Sequence, residues 1–98
     1  MKNIEVARVK NMTSPRSGNP VPNQFEITAT DGAEYFQSYD STIIKIHRGK
    51  VVLDEKYWDY SKTTGIYRNQ FLGEDKKITE QKIASKEYQL ANLNPKED

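Results

Sequence analysis

The sequence predicts an α+β fold, in which two β-hairpins build a mostly antiparallel sheet of four or five strands and one or two short helices follow in the C-terminal half. Residues 24–30 alternate apolar and polar side chains before a turn signal, and residues 44–53 repeat this pattern around a glycine. After Asp54 the alternation gives way to helical spacing. We therefore expect a single domain over residues 1–94 and a polar tail at 95–98.

The first hairpin is predicted from Asp31-Gly32, because both central residues of a tight type I′ turn take positive φ values. A two-residue turn at this point places Ile27 opposite Phe36. Since side chains alternate along a strand, Phe25, Ile27 and Phe36 are then expected to face the core.

The remaining strands are predicted from shorter stretches of alternation. They are an edge strand that includes Ile4, Val6 and Val9, a second hairpin that turns at Arg48-Gly49 or Gly49-Lys50, and a closing strand that includes Tyr88 and Leu90. Between the edge strand and the first hairpin, the prolines and glycine of residues 12–23 predict a long loop, here called the Pro-rich loop.

Capping residues delimit the helices. Ser61 or Thr63 is expected to cap a first helix, and Gly73 is placed to end it. A second short helix is expected to begin at Thr79 and to run toward Lys86.

Composition excludes several classes of function. The 98 residues carry a formal net charge of +1, so no global positive field favours duplex DNA or anionic lipid. The chain has no cysteine, which rules out disulfides and thiolate metal sites. Residues 1–10 lack the continuous apolar run of a signal peptide or membrane span. We therefore expect a cytoplasmic protein that does not act at a membrane.

The sequence shows no recognisable catalytic apparatus, and we predict neither enzymatic activity nor a cofactor or metal. The one histidine, His47, has no acidic neighbour in sequence and is interpreted as a polar strand residue. Asp54-Glu55 and Glu74-Asp75 carry the oxygen ligands that Mg²⁺ prefers, but adjacent carboxylates near turns are usually solvated surface. A metal-dependent nuclease built on Asp54, Glu55 and Glu74 is therefore the least favoured hypothesis.

Two segments are candidates for binding a partner. In the Pro-rich loop, Arg16, Asn19 and Asn23 offer hydrogen-bond donors and acceptors, and a loop that only covers a sheet edge fits the same sequence equally well. The second candidate is the aromatic segment, residues 57–74.

In the aromatic segment, aromatic and basic side chains are interleaved. Tyr60, Lys62, Tyr67 and Arg68 fit a protein interface, and they also fit the stacking-plus-charge pattern of single-strand binders. Tyr35 and Tyr39, expected on the sheet face away from the core, would extend such a stacking surface. The large apolar groups Trp58 and Phe71 are expected in the core, because so small a domain with few leucines and valines needs them there.

Three motifs resemble those of a family of small bacteriophage and prophage proteins of unknown function. They are SPRSGNPVPNQF at 14–25, FQSYDS at 36–41 and WDYSKTTGIYRNQFLGE at 58–74, and the resemblance extends over about residues 12–94. The resemblance implies a protein that acts inside a bacterial host cell, and it transfers no activity.

The sequence therefore predicts a non-enzymatic binding protein that docks on a bacterial host protein, as a modulator or inhibitor, through the Pro-rich loop and the aromatic segment. The alternative is an accessory protein that binds single-stranded nucleic acid by aromatic stacking and Lys/Arg contacts.

Overall fold

The computed structural model describes residues 5–95 as an α+β fold with a six-stranded, mostly antiparallel sheet and two helices. The elements are β1 (Val6–Thr13), β2 (Pro20–Ala29), β3 (Glu34–Ser38), β4 (Ser41–His47), β5 (Lys50–Asp54), α1 (Lys62–Leu72), α2 (Lys76–Ala84) and β6 (Tyr88–Ala91). The predicted fold class is confirmed, with one strand more than the four or five expected. The predictions for Ile4 and for residues 96–98 of the tail lie outside the described residues.

The sheet follows the order of the chain. Strands β1 to β5 form an antiparallel meander, and β6 lies beside β5 in parallel orientation, with Val51 opposite Tyr88. Parallel neighbours cannot be joined by a tight turn, and here α1 and α2 lie in the connection between them. As a result, β1 and β6 form the two edges of the sheet.

The register of the first hairpin differs from the prediction by one residue. Ile27 pairs with Tyr35 and not with Phe36, because the turn contains residues 30–32 and ends in a glycine with φ of +90°. Positive φ at the last position is typical of three-residue hairpin loops. A slip of one residue exchanges the two sheet faces, so Ile27 lies on the face opposite Phe36. The expectation that Phe25 and Ile27 share the core face of Phe36 is therefore wrong.

The second hairpin turns at Arg48-Gly49, the first of the two expected positions. His47 pairs with Lys50, and the two turn residues have φ values of +53° and +80°. Two consecutive positive φ values define the type I′ turn that suits the twist of a tight hairpin.

The Pro-rich loop is shorter than expected, because half of residues 12–23 are strand. β1 continues to Thr13 and β2 begins at Pro20, so only residues 14–19 form the tip of a third hairpin. The backbone amide of Ser14 donates to the carbonyl oxygen of Asn19 at 2.8 Å, and the Ser14 hydroxyl oxygen accepts from the amide of Arg16 at 3.2 Å. These bonds give the tip a defined conformation.

The helix ends follow the capping residues. Ser61 is the N-cap of α1, and Gly73 ends the helix with φ of +71°, as predicted. α2 begins at Lys76 and not at Thr79, because the side chain of Asp75 caps it. The carboxylate of Asp75 is exposed, as expected for solvated surface, and it also caps this helix.

Both helices pack on the sheet face that contains Phe36. The buried members of this core are Met12, Phe36, Ile43, Ile44, Leu53, Tyr67 and Tyr88. Trp58 and Phe71 are half-buried and pack against it, and the rings of Phe36 and Phe71 stack with centroids 5.8 Å apart. Within residues 5–95, neither helix has the length and apolar character that crossing a membrane requires.

Candidate functional site

The tip of the β1–β2 hairpin and helix α1 are joined by a side-chain hydrogen bond. Gln70 Nε2 on α1 donates to the carbonyl oxygen of Thr13 at 3.1 Å, and Thr13 is the residue directly before the tip. Val21, just after the tip, packs against the core cluster that contains Tyr67. The Pro-rich tip and the aromatic segment, predicted separately, are therefore neighbours.

The exposed side chains of these two neighbours form the candidate site, here called the tip–helix surface. It consists of Arg16, Asn19, Tyr60, Lys62 and Ile66, all exposed. Lys62, Ile66 and Gln70 follow one another at intervals of four residues, so they share one face of α1. Ile66 is 42% exposed, and sequence reasoning missed it as a site residue. The signal available in the sequence was that Ile66 lies between polar Lys62 and Gln70 on one face of the helix, a pattern that indicates exposure.

Asn23 is exposed but has a local structural role. It lies within β2 with φ of +66°, a conformation that asparagine tolerates better than most residues. Its carbonyl oxygen accepts from the backbone amide of Tyr39 at 2.7 Å. We therefore leave Asn23 out of the tip–helix surface.

Arg68 and Tyr67, both expected to contact a partner, are buried. Arg68 is 1% exposed, and its Nη1 donates to the carbonyl oxygen of Trp58 at 2.8 Å and to Asp59 Oδ1 at 3.0 Å. Its guanidinium carbon also lies 5.3 Å from the centroid of the Trp58 ring. Tyr67 belongs to the core cluster. Both side chains are therefore buried where the predicted contact surface needs them exposed, and we leave them out of the tip–helix surface.

Asp59 is shared between two cations. It accepts from Arg68 and lies 2.7 Å from the ammonium nitrogen of Lys76 at the start of α2. Burial raises the pKa of the Asp59 carboxyl, but the hydrogen bonds and charges of Lys76 and Arg68 outweigh it and the pKa falls below its ordinary value. In turn, the hydrogen bond and charge of Asp59 raise the pKa of Lys76. Arg68 and Asp59 thus connect the segment before α1 to both helices.

The tyrosines of the first hairpin do not complete a stacking surface. Tyr35 is buried, with the ammonium nitrogen of Lys45 5.9 Å from its ring centroid. Tyr39 is 45% exposed and adopts φ of +55° directly after β3. Of the four tyrosines considered for stacking, only Tyr39 and Tyr60 are exposed.

The carboxylate of Asp54 is engaged in hydrogen bonds within the protein. It is buried, and its carboxylate accepts from the backbone amides of Lys56, Tyr57 and Leu93 and from Nδ2 of Asn94 at distances of 2.8–3.0 Å. These four donors use the lone pairs that a metal ion would need. Among residues 5–95, no three acidic or histidine side chains are grouped where they could hold a metal ion.

Glu74 is likewise engaged in the structure. Its carboxylate accepts from the Thr79 hydroxyl at 2.6 Å, from Lys82 Nζ at 3.0 Å and from the Tyr88 hydroxyl at 2.9 Å. Burial raises the pKa of this carboxyl, but the three donors outweigh burial and hold the pKa below its ordinary value. Burial and the neighbouring carboxylate raise the pKa of Tyr88. Glu74 therefore links α2 to β6.

His47 lies in β4, and its Nε2 is 3.3 Å from the carbonyl oxygen of Asp31 in the turn of the first hairpin. The hydrogen bond from the backbone amide of Ala33 lowers the pKa of Asp31 against an opposing effect of burial, and the nearby His47 and Lys45 lower it further. His47 is therefore a polar residue of β4 that contacts the turn of the first hairpin.

The geometry defines a small α+β domain with an exposed apolar and basic surface beside a hairpin tip. The chain belongs to a family of unknown function, DUF8033, whose model matches residues 7–88. No curated protein and no solved structure matches the chain.

Proposed function

We propose that this chain is a non-enzymatic binding protein of the bacteriophage type, which docks on a bacterial host protein in the cytoplasm and modulates or inhibits it. The hydrogen bond between Gln70 and Thr13 carries the docking proposal, because it holds the hairpin tip beside α1. Two short segments that are each too small for an interface thereby become one surface. The phage origin and the bacterial host rest on the resemblance of the three sequence motifs.

The chemistry of the tip–helix surface supports a protein partner. Tyr60 and Ile66 are 46% and 42% exposed, and Arg16 lies at the tip. Aromatic and arginine side chains supply much of the binding energy in protein interfaces, and exposed apolar groups gain by burial against a partner.

Single-stranded nucleic acid is the competing partner. Its stacking surface was predicted from Tyr35, Tyr39, Tyr60 and Tyr67, with charges from Lys62 and Arg68. Burial of Tyr35, Tyr67 and Arg68 removes three of these six groups from solvent. We therefore favour the protein partner.

Site-specific photo-crosslinking tests this proposal. A photoreactive amino acid replaces Ile66 in the full chain expressed in bacterial cells, and the matched control carries it at Ile78, an isoleucine on α2 with 41% exposure. We expect one host protein to crosslink from position 66 and not from position 78. The purified partner should then bind the Ile66→Arg and Arg16→Ala variants at least about tenfold more weakly, because loss of an interface anchor costs about 2 kcal/mol or more.

The other outcomes are equally informative. Equal crosslinking from both positions, or unchanged affinity of both variants, would contradict docking through the tip–helix surface. Crosslinks to nucleic acid, together with a saturable and salt-sensitive change of Trp58 fluorescence on adding single-stranded DNA, would establish the alternative partner.

A further inference from the structure

A second candidate surface lies at the opposite edge of the sheet. Strand β6 pairs with β5 on one side, and its other side has no partner strand in the part of the chain that the structure describes. Helix α2 packs against β6. A cleft of about 300 Å³ at this junction is lined by Ile83, Lys86, Tyr88, Gln89 and Leu90.

The free edge of β6 favours a ligand in extended conformation. Its outward backbone N–H and C=O groups are a template for an added strand. Leu90 pairs with Leu53, whose side chain belongs to the core, so Leu90 lies on the sheet face that the helices cover. Even so, Leu90 is 43% exposed. The side chain of an added strand opposite Leu90 points to the same face and would be buried against an apolar surface.

The charge of the cleft determines a second feature of the ligand. Lys86 is the charged residue of the lining, and it takes φ of +71° just before β6. The nearest carboxylate in sequence, Glu87, lies 4.0 Å from Lys82 Nζ and does not line the cleft. The hydroxyl of Tyr88 is bonded to Glu74. An acidic group on the ligand would therefore complement Lys86.

We propose that β6 and this cleft bind an extended peptide segment of a partner protein, which adds a strand to the sheet. An apolar residue of the peptide packs against Leu90 and Ile83, and an acidic residue pairs with Lys86. Lys86 precedes Leu90 by four residues, and an added strand runs alongside β6, so these two peptide residues are about four positions apart.

Peptide selection tests this inference. The probe is a displayed library of random twelve-residue peptides, selected on the full chain. We expect enriched peptides to combine an apolar and an acidic residue about four positions apart. Their affinity should fall at least about tenfold for Leu90→Arg and for Lys86→Glu, since each change removes one of the two anchors. The Ile78→Arg variant, which makes the same kind of change at a similarly exposed site, should bind as the unchanged chain does.

Backbone amide shifts in an NMR titration locate the peptide. Shifts concentrated at residues 86–91 are expected, and Ile66→Arg should leave peptide affinity unchanged, which separates this surface from the tip–helix surface. Failure to enrich any peptide, or equal affinity for Leu90→Arg and the unchanged chain, would overturn the inference. Because Leu90 and Lys86 are exposed, equal melting temperatures serve as the folding control.

Discussion

The β1–β5 meander, residues 6–54, and the segment that follows it, residues 55–94, use polar side chains in different ways. In the meander, the polar side chains of the turns bond close in sequence, as the Ser14 hydroxyl does with the amide of Arg16. In the following segment, buried Arg68 bonds to the carbonyl oxygen of Trp58 in the loop before α1, and half-buried Asn94 reaches across the fold to Asp54. Only 35% of the residues are apolar. The C-terminal segment therefore relies on buried polar groups where a more apolar chain would rely on packing alone.

This difference has a consequence for tolerance to mutation. A buried polar group without its partner costs more free energy than the bond itself contributes. Groups that join distant elements should therefore be sensitive to substitution, whereas exposed residues at the hairpin tip should tolerate it.

The largest effect is expected for Arg68→Ala. The substitution leaves the Trp58 carbonyl oxygen without its side-chain donor, leaves Asp59 paired with Lys76, and removes the guanidinium from the Trp58 ring. We expect the free energy of unfolding to fall by about 2–3 kcal/mol, as measured by urea denaturation. Arg16→Ala at the exposed tip is the control and should change it by less than about 0.5 kcal/mol. Similar values for both variants would contradict the proposed difference between the two regions.

A smaller, pH-dependent effect is expected for Glu74→Gln. The folded-state pKa of Glu74 lies below its ordinary value of 4.5, so the ionised carboxylate stabilises the fold above that pH. This stabilisation is lost as the pH falls through the folded-state pKa. At about pH 7 the variant should be less stable by about 1–2 kcal/mol, because the carboxylate has three hydrogen-bond donors. Below the folded-state pKa this difference should largely disappear.

Urea denaturation across this pH range measures the effect, with Glu80→Gln as the control, because Glu80 is exposed on α2. A stability difference between Glu74→Gln and the unchanged chain that does not begin to shrink as the pH falls below 4.5 would show that the hydrogen bonds do not depend on ionisation.

Local signals in the sequence predicted most of the fold. The cap at Ser61, the stop at Gly73 and the turn at Arg48-Gly49 each depend on the backbone conformation of one or two residues, so the sequence carries them directly. The register at Asp31-Gly32 was missed because this pair fits both a two-residue and a three-residue turn. That choice depends on which face of the strand the rest of the sheet buries.

The candidate site was harder to predict, because burial of polar residues depends on tertiary partners. Arg68 is interleaved with polar residues along α1, a pattern that indicates exposure. Its burial follows from the Trp58 carbonyl oxygen and Asp59, whose positions are set by the loop before the helix. Conversely, the helical pattern did not distinguish exposed Ile66 from buried Tyr67, since the buried face of α1 is selected by the sheet.

The smallest effect is expected inside α1 itself, at Gly65→Ala. A β-carbon added there would lie 3.6 Å from Arg68 Nη2, an ordinary van der Waals distance. Alanine is favoured over glycine in a helix interior by about 1 kcal/mol, so the free energy of unfolding should rise by about 0.5–1 kcal/mol. Gly73→Ala is the matched control and should destabilise the fold, because φ of +71° is strained for alanine. If Gly65→Ala destabilised the fold as well, the guanidinium of Arg68 would be held too rigidly to accommodate the added methyl group. The buried polar groups of the C-terminal segment would then tolerate less change than their geometry indicates.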